Sequence, residues 1–363
     1  MKTNRKLTLT CISLFGCLLL GAVVPRGFLS APLPAQAAEA AAIIASGTCG
    51  ESVTWTFDDT TKTLTISGSG DMNSYDNYYR KGEYWSTVPY KAYLRKIQKI
   101  VIDNGVTSIG DYAFYKCSEL TSITIPESVT CIGYQAFCWC SSLTSITIPD
   151  SVTRICSSAF GLCSSLTSIN IPESIKSIEI SLFQDCSSLK EITLPDSITS
   201  IENGAFGFCS GLTSITIPKS VKRIGYWAFR GCSSLTSITL PESVKSIGEA
   251  AFSECTNLKT IRGYTGSYAE KYAKQNGYQF EAIDNWDFDE ETGTLTISSK
   301  GKMNDYTSAE KTPWFAYQPQ IRNIVFESGV TYIGTYAFYG CDALEAIVIP
   351  EGVKNIGEFA FYG

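Results

Sequence analysis

The sequence predicts a repeat solenoid, a stack of 23-residue coils joined by short parallel β-strands, and three observations predict it. Cys117, Cys140, Cys163, Cys186, Cys209, Cys232 and Cys255 follow one another every 23 residues without an insertion. Phe114 to Phe252, Leu120 to Leu258, Ile123 to Ile261 and Pro126 to Pro241 keep the same interval. Within a unit, Leu120-x-x-Ile123-x-Ile125 alternates with Ser122 and Thr124, the two-residue period of a half-buried strand.

Pro126 ends that strand, because proline has no N–H for the ladder. Glu127-Ser128 reads as a turn, Val129-x-x-Ile132 as a second short apolar segment, and Ala136-Phe137 with Cys140 as a helical or 3₁₀ return. About seven positions per unit point inward, too few for a core of its own. Stacking places equivalent residues ~4.8 Å apart, so that Leu, Ile, Phe and Cys each form a buried column. Each buried Phe then contributes about 1.5 to 3 kcal/mol.

Other segments frame the stack. Residues 1–37 read as a secretory signal peptide: Lys2, Arg5 and Lys6 precede an apolar run from Leu7 to Val24, and Ala35-Gln36-Ala37 offers the cleavage site. A retained anchor is the rival, but Thr8, Thr10 and Ser13 interrupt the run and Pro25 ends it short of a membrane span. No other stretch is apolar enough to span. Residues 38–98 read as a linker and an N-terminal β cap, in which Trp55 and Phe57 alternate in phase with Leu64 and Ile66 across an Asp58 to Lys62 turn. Residues 99–262 form the solenoid, and 263–283 a helical cap. There, Ser267 to Glu270 supplies a capping box, Tyr268, Tyr272 and Ala273 share one side, and Asn276-Gly277 ends the helix. Residues 284–320 repeat the first cap: Trp286, Phe288, Leu295, Ile297 and Met303 follow Trp55, Phe57, Leu64, Ile66 and Met72 at a constant offset of 231, and Trp85 and Trp314 come after these matched segments. A Trp at one place in both copies reads as core rather than as a sugar platform. Residues 321–363 start a second array that stops one residue before its next cysteine, so the natural chain is expected to continue.

The Leu120, Ile123, Ile125 pattern resembles the leucine-rich repeat family, and the recurring Ile-Pro-x-Ser-Val and Ala-Phe-x-x-Cys elements resemble its BspA-like subclass of bacterial surface proteins. Ser128 stands where that family's asparagine would be, and Val129 comes one residue early. The resemblance implies a curved leucine-rich repeat solenoid with its parallel β-sheet on the concave side, a bacterial secreted or cell-surface location, and a role in adhesion or partner binding.

Composition narrows the function. The chain has no histidine, which excludes Ser-His-Asp and Cys-His nucleophile systems, a histidine base and His-ligated zinc. The signal takes four of the 29 Lys+Arg and no acid, leaving 25 against 35 Asp+Glu and a formal charge of −10. A nucleic-acid binder carries the opposite sign. Lys91, Arg95, Lys96 and Lys99 lie near Tyr78, Tyr79, Tyr84, Tyr90 and Tyr93, a mixture that can hold single-stranded nucleic acid. On an exported acidic protein it reads as a solvated cap loop. The cysteine column reads as free thiols, since stacked Cβ atoms ~4.8 Å apart exceed the ~3.5 to 4.5 Å of a disulfide. Cys131 and Cys156 lie about 8 Å apart by strand spacing, also too far. Cys138-Trp-Cys140 lacks the spacing of a zinc site, and Cys49 has no assigned role.

No catalytic residue, metal ligand or cofactor is assigned. The candidate binding residues are the hydroxyl rows of the expected concave face: Ser122, Ser145, Ser168, Ser214 and Ser237, beside Thr124, Thr147, Asn170, Thr193, Thr216 and Thr239. Such rows are also ordinary soluble strand residues. The acidic row Glu127, Asp150, Glu173, Asp196 and Glu242 reads as a solvated edge, because each coil offers one carboxylate where calcium needs several. The expected partner is an extracellular protein or glycan. The alternatives are a passive cell-wall component and, behind it, a glycan-active enzyme using paired carboxylates.

Overall fold

Successive coils bond to one another along three backbone ladders. In the computed structural model, which describes residues 43–80, 83–264, 266–299 and 301–363, each ladder runs parallel at the 23-residue interval. The signal-peptide reading lies outside these residues. The first ladder follows the Leu-x-x-Ile-x-Ile strand: Ile100 faces Ile123, Ile146 faces Ile169, and Ile238 faces Ile261. The second follows the segment after the proline turn, where Val129 N–H closes on the Pro126 carbonyl at 3.1 Å. It carries Ile109, Ile132 and Ile155 in one run and Ile178, Ile201, Ile224 and Ile247 in another.

The third ladder replaces the expected helical return. Residues 111–116 and their equivalents are consecutive turns, and Gln135 and Trp139 take the left-handed φ values of 51° and 67°. Tyr112 and Lys116, Ser158 and Leu162, Ser181 and Asp185, and Ala250 and Glu254 repeat the pair. A helix would turn each N–H back onto its own coil. Here Phe114, Phe137, Phe160 and Phe183 instead donate to Ala136, Ala159, Leu182 and Ala205 of the next coil, at 2.8, 2.8, 3.1 and 2.8 Å. That inter-coil bonding offsets a left-handed penalty of about 1–2 kcal/mol per residue.

Side chains complete the stack. Phe114 to Phe252 are buried, and consecutive rings stack with centroids 5.3 to 6.0 Å apart. Beside them, Cys140, Cys163, Cys186, Cys209, Cys232 and Cys255 donate their thiols to the Phe carbonyls of the preceding coil at 3.0 to 3.3 Å. Burial pushes the Cys209 thiol up to about 12 and holds those of Cys140 and Cys186 well above the ordinary thiol value. All twelve described cysteines are free. Ser128, Ser151, Ser174, Ser197, Ser220 and Ser243 form a further row, each donating to the backbone one coil down. These serines occupy the place of the absent asparagine, and their hydroxyls bind coil to coil.

Before the first coil, strands β1 (Ile43–Thr48), β2 (Val53–Asp58) and β3 (Thr63–Gly68) form an antiparallel meander, and β3 joins the first ladder with Leu64 facing Ile100. Trp55 and Phe57 are buried, whereas Trp286 and Phe288 of the second copy are half-buried, and Tyr93 stacks on Phe57 at 4.7 Å. Tyr90 heads the phenylalanine column, with its hydroxyl on the Ala113 carbonyl at 3.0 Å. Trp314 does the same in the second copy, with its indole N–H on the Ala337 carbonyl at 2.8 Å and its ring on Phe338. The counterpart of Trp314 is therefore Tyr90 and not Trp85, which lies on a hairpin, Asn77–Arg80 with Glu83–Ser86. The offset between the copies falls from 231 at Met72 and Met303 to 224 at Ile100 and Ile324, so the first copy has seven more residues in the segment holding that hairpin.

After the last coil of the first array, α1 (Tyr268–Gln275) begins with a variant of the expected capping box, in which the glutamate reaches the residue before the N-cap Ser267. Ser267 Oγ accepts from Glu270 N–H, and a Glu270 carboxylate oxygen accepts from Gly266 N–H at 2.6 Å. Tyr272 packs edge-on against Phe252 at 5.9 Å, with Ala269 and Ala273 buried beside it. The following strand, Gln279–Ala282, adds in parallel to Thr260–Gly263. No described helix is long and apolar enough to cross a membrane.

Candidate interaction face

The first ladder alternates strictly. Ile146, Ile169, Ile192, Ile215 and Ile238 are buried, and the residues between them face outward. Of the eleven candidates, Ser122, Thr124, Ser145, Thr147, Ser168, Asn170, Thr193, Ser214, Thr216 and Thr239 are exposed, and Ser237 is half-buried.

This ladder is not continuous. No strand pairing joins Ser122–Thr124 to Ser145–Ile146, residues 191–195 form no strand, and beyond them a single bridge joins Thr216 to Thr239. At the near edge of the gap, Asn170 interrupts the threonine row. Its amide accepts from Ile148 N–H at 2.8 Å and donates to the Ile148 carbonyl at 2.7 Å, supplying from a side chain what a neighbouring strand would supply from its backbone. Asn170 therefore has a structural task, whatever else it touches.

Beside residues 191–195 there is a shallow cavity of about 560 Å³. It brings together Ser168, Asn170, Thr193, Ser214 and Thr216. Ser122, Thr124, Ser145, Thr147, Ser237 and Thr239 lie elsewhere on the same ladder. Two carboxylates, Glu173 and Glu191, also line the cavity, both exposed. Glu191 was legible in the sequence, since it occupies the serine register between Ser168 and Ser214, but a row defined by hydroxyls passes over it. Of the acidic row, only Glu173 reaches the cavity. Chemically the face offers hydroxyls, an amide and two negative charges, a surface for hydrogen bonding to a hydroxyl-rich or basic partner.

The other candidates fall elsewhere. Lys91, Arg95, Lys96 and Lys99 are exposed, and Lys96 approaches Asp59 at 3.6 Å, whereas Tyr90 is buried in the core. Cys131 and Cys156 are free and half-buried, and a side-chain hydrogen bond links the two thiols. That hydrogen bond lowers the Cys156 pKa and raises that of Cys131.

The BspA type Leucine rich repeat region matches this chain in six copies, over residues 90–209, 176–283 and 311–363, more than half its length. Among solved structures, a leucine-rich repeat protein from Eubacterium ventriosum is 20% identical, covering 88% of this chain and 95% of its own, with a TM-score of 0.38. One from Bacteroides ovatus is 22% identical over 85% and 90%, TM-score 0.39. A leucine rich cell surface protein from Faecalibacterium prausnitzii is 25% identical over 88% and 86%, TM-score 0.37. No curated protein matches. With its 23-residue coils, its proline turns and its cysteine column, the chain belongs to the BspA-type leucine-rich repeat family.

Proposed function

We propose that this chain is an exported recognition scaffold that binds an extracellular protein or glycan through the first-ladder face. One observation carries the reading: a cavity of about 560 Å³ on this face has a lining that combines Ser168, Asn170, Thr193, Ser214 and Thr216 with Glu173 and Glu191. A surface with only a spacer role has no need of a break in its ladder, and regular coils hold their side chains rigidly enough to recognise shape. The carboxylate-enzyme reading is weaker, since Glu173 and Glu191 stand on an open face without the water-excluding walls that catalysis uses.

Glycan and protein arrays probed with the full chain test the proposal. Hits lost in the Thr147→Lys/Thr193→Lys double variant support it. Hits that the double variant retains remove this face from the reading, and arrays without any hit favour a passive wall component.

A further inference from the structure

The turn face holds a second cavity, of about 320 Å³, which owes its existence to two glycines. Gly204 stands where the adjacent coils place Ser181 and Trp227, and Gly207 where they place Gln184 and Arg230. The missing side chains leave a gap walled by two exposed aromatics, Trp227 at 52% and Phe208 at 37%. Trp227 has a φ of 54°, a conformation unfavourable for a bulky residue, at a position where the next coil uses Ala250. The Arg230 guanidinium lies 5.1 Å from the Phe208 ring centre and 5.5 Å from that of Trp227, and its charge is met by Glu254 at 2.6 Å.

The remaining polar lining is neutral and incompletely used. Asn203 accepts from Tyr226 N–H through Oδ1 at 2.9 Å, which leaves its Nδ2 available as a donor. Gln184 donates through Nε2 to Asp185 at 3.2 Å, which leaves its Oε1 as an acceptor, and the Ser181 hydroxyl can serve as either. An anion would find its only cation already paired. A wholly apolar ligand would strand these amides, at a cost. The lining instead matches a neutral ring with one apolar face and a rim of hydroxyls, and the volume lies at the small end of ligand sites, which start near ~300 Å³.

We propose that this cavity binds one neutral pyranose residue, its C–H face against Trp227 or Phe208 and its hydroxyls on Ser181, Gln184 and Asn203. This site is separate from the first-ladder face and does not depend on it.

Saturation-transfer NMR on the full chain tests the proposal, with the methyl glycosides of glucose, galactose, mannose and N-acetylglucosamine offered one at a time at millimolar concentration. At least one is expected to bind. Gly207→Leu fills the gap at a position where neighbouring coils carry Gln184 and Arg230, and Trp227→Ala removes a wall while keeping a residue that the equivalent Ala250 shows to be tolerated. Each should weaken binding at least tenfold, as should Gly204→Ser, which restores the side chain that Ser181 carries one coil earlier. Trp139→Ala and the Thr147→Lys/Thr193→Lys double variant should leave it intact, which separates this site from the first-ladder face. Absence of transfer to all four glycosides, binding of adenosine in their place, or full binding by folded Gly207→Leu or Gly204→Ser would overturn the assignment.

Discussion

The thiol of Cys186 donates to the Phe160 carbonyl of the preceding coil at 3.2 Å, and that carbonyl also receives Cys163 N–H at 3.4 Å. The cysteine is thus a small apolar filler that also supplies a donor between coils. Valine is slightly larger and loses the donor. Cys186→Val is expected to cost about 0.5–1.5 kcal/mol, the net worth of an ordinary hydrogen bond, read as a shift of the urea midpoint. A Val variant as stable as the parent would mean that the column selects on size alone.

Thiol reactivity should divide the cysteines sharply. Ten of the described twelve are buried, and Cys131 and Cys156 are half-buried. The hydrogen bond from Cys131 lowers the Cys156 pKa, whereas burial raises those of Cys140 and Cys186 in the column. A native-state titration with an aromatic disulfide reagent should therefore label Cys156 first, and removing it by Cys156→Ser should abolish the fast phase. Labelling of Cys140 or Cys186 at a comparable rate would contradict the burial of the column.

The serine row gives a stability prediction of its own. Ser197 donates to the Ile175 carbonyl at 2.6 Å and is half-buried. Ser197→Ala should cost about 1 kcal/mol, and Ser197→Ala/Ser220→Ala more than either alone, seen as stepwise shifts in melting temperature. Equal melting temperatures would make the row decorative.

The second array should respond to acid through Asp305. Partial burial works against its charge, but the Thr335 N–H at 2.9 Å, the Tyr332 hydroxyl at 2.6 Å, Lys302 at 3.0 Å and the Thr335 hydroxyl at 2.9 Å outweigh that and hold the carboxyl well below the usual range. A carboxylate depressed in the fold contributes stability above its unfolded pKa of about 4. That contribution fades as the pH falls below this value. Asp305→Asn should therefore be less stable than the parent at pH 7, by a deficit that shrinks markedly between pH 5 and pH 2. A deficit of equal size at pH 7 and pH 2 would place the effect in packing and not in charge.

How far the sequence could be read depended on whether a position repeats in identity or only in conformation. The phenylalanine column was legible because seven identical side chains at one interval have a single economical arrangement, stacked inside. Ser128 and its equivalents repeat just as faithfully, but a serine after proline satisfies a turn whether or not its hydroxyl reaches the next coil. The left-handed positions repeat in conformation alone: Tyr112, Gln135, Ser158, Ser181, Gly204, Trp227 and Ala250 share no side-chain property, so nothing distinguished stacked turns from a short helix. Glu191 and the two glycines of the turn face were hidden for a related reason. Each departs from its row, so no interval marks it, although both cavities are built on such departures.

Deleting whole coils gives the most direct test of the architecture. Removing residues 141–163 joins Cys140 to Ser164, the equivalent of Ser141, and sets Phe137 beneath Phe183, with every column kept in phase. Equivalent segments follow one another at the same interval in every coil, so the shortened chain should fold cooperatively, lose little stability and be about 4.8 Å shorter. Removing residues 141–152 deletes a non-integral part of the period. It would bring the second-ladder segment near Ile155 to the place of the first-ladder strand, and leave Phe160 and Cys163 out of line with Phe137 and Cys140. That variant should aggregate or melt far below the other. Urea denaturation followed by circular dichroism, with small-angle scattering for length, distinguishes the two, and similar curves for both deletions would mean that the coils are not held together by residues stacked in register.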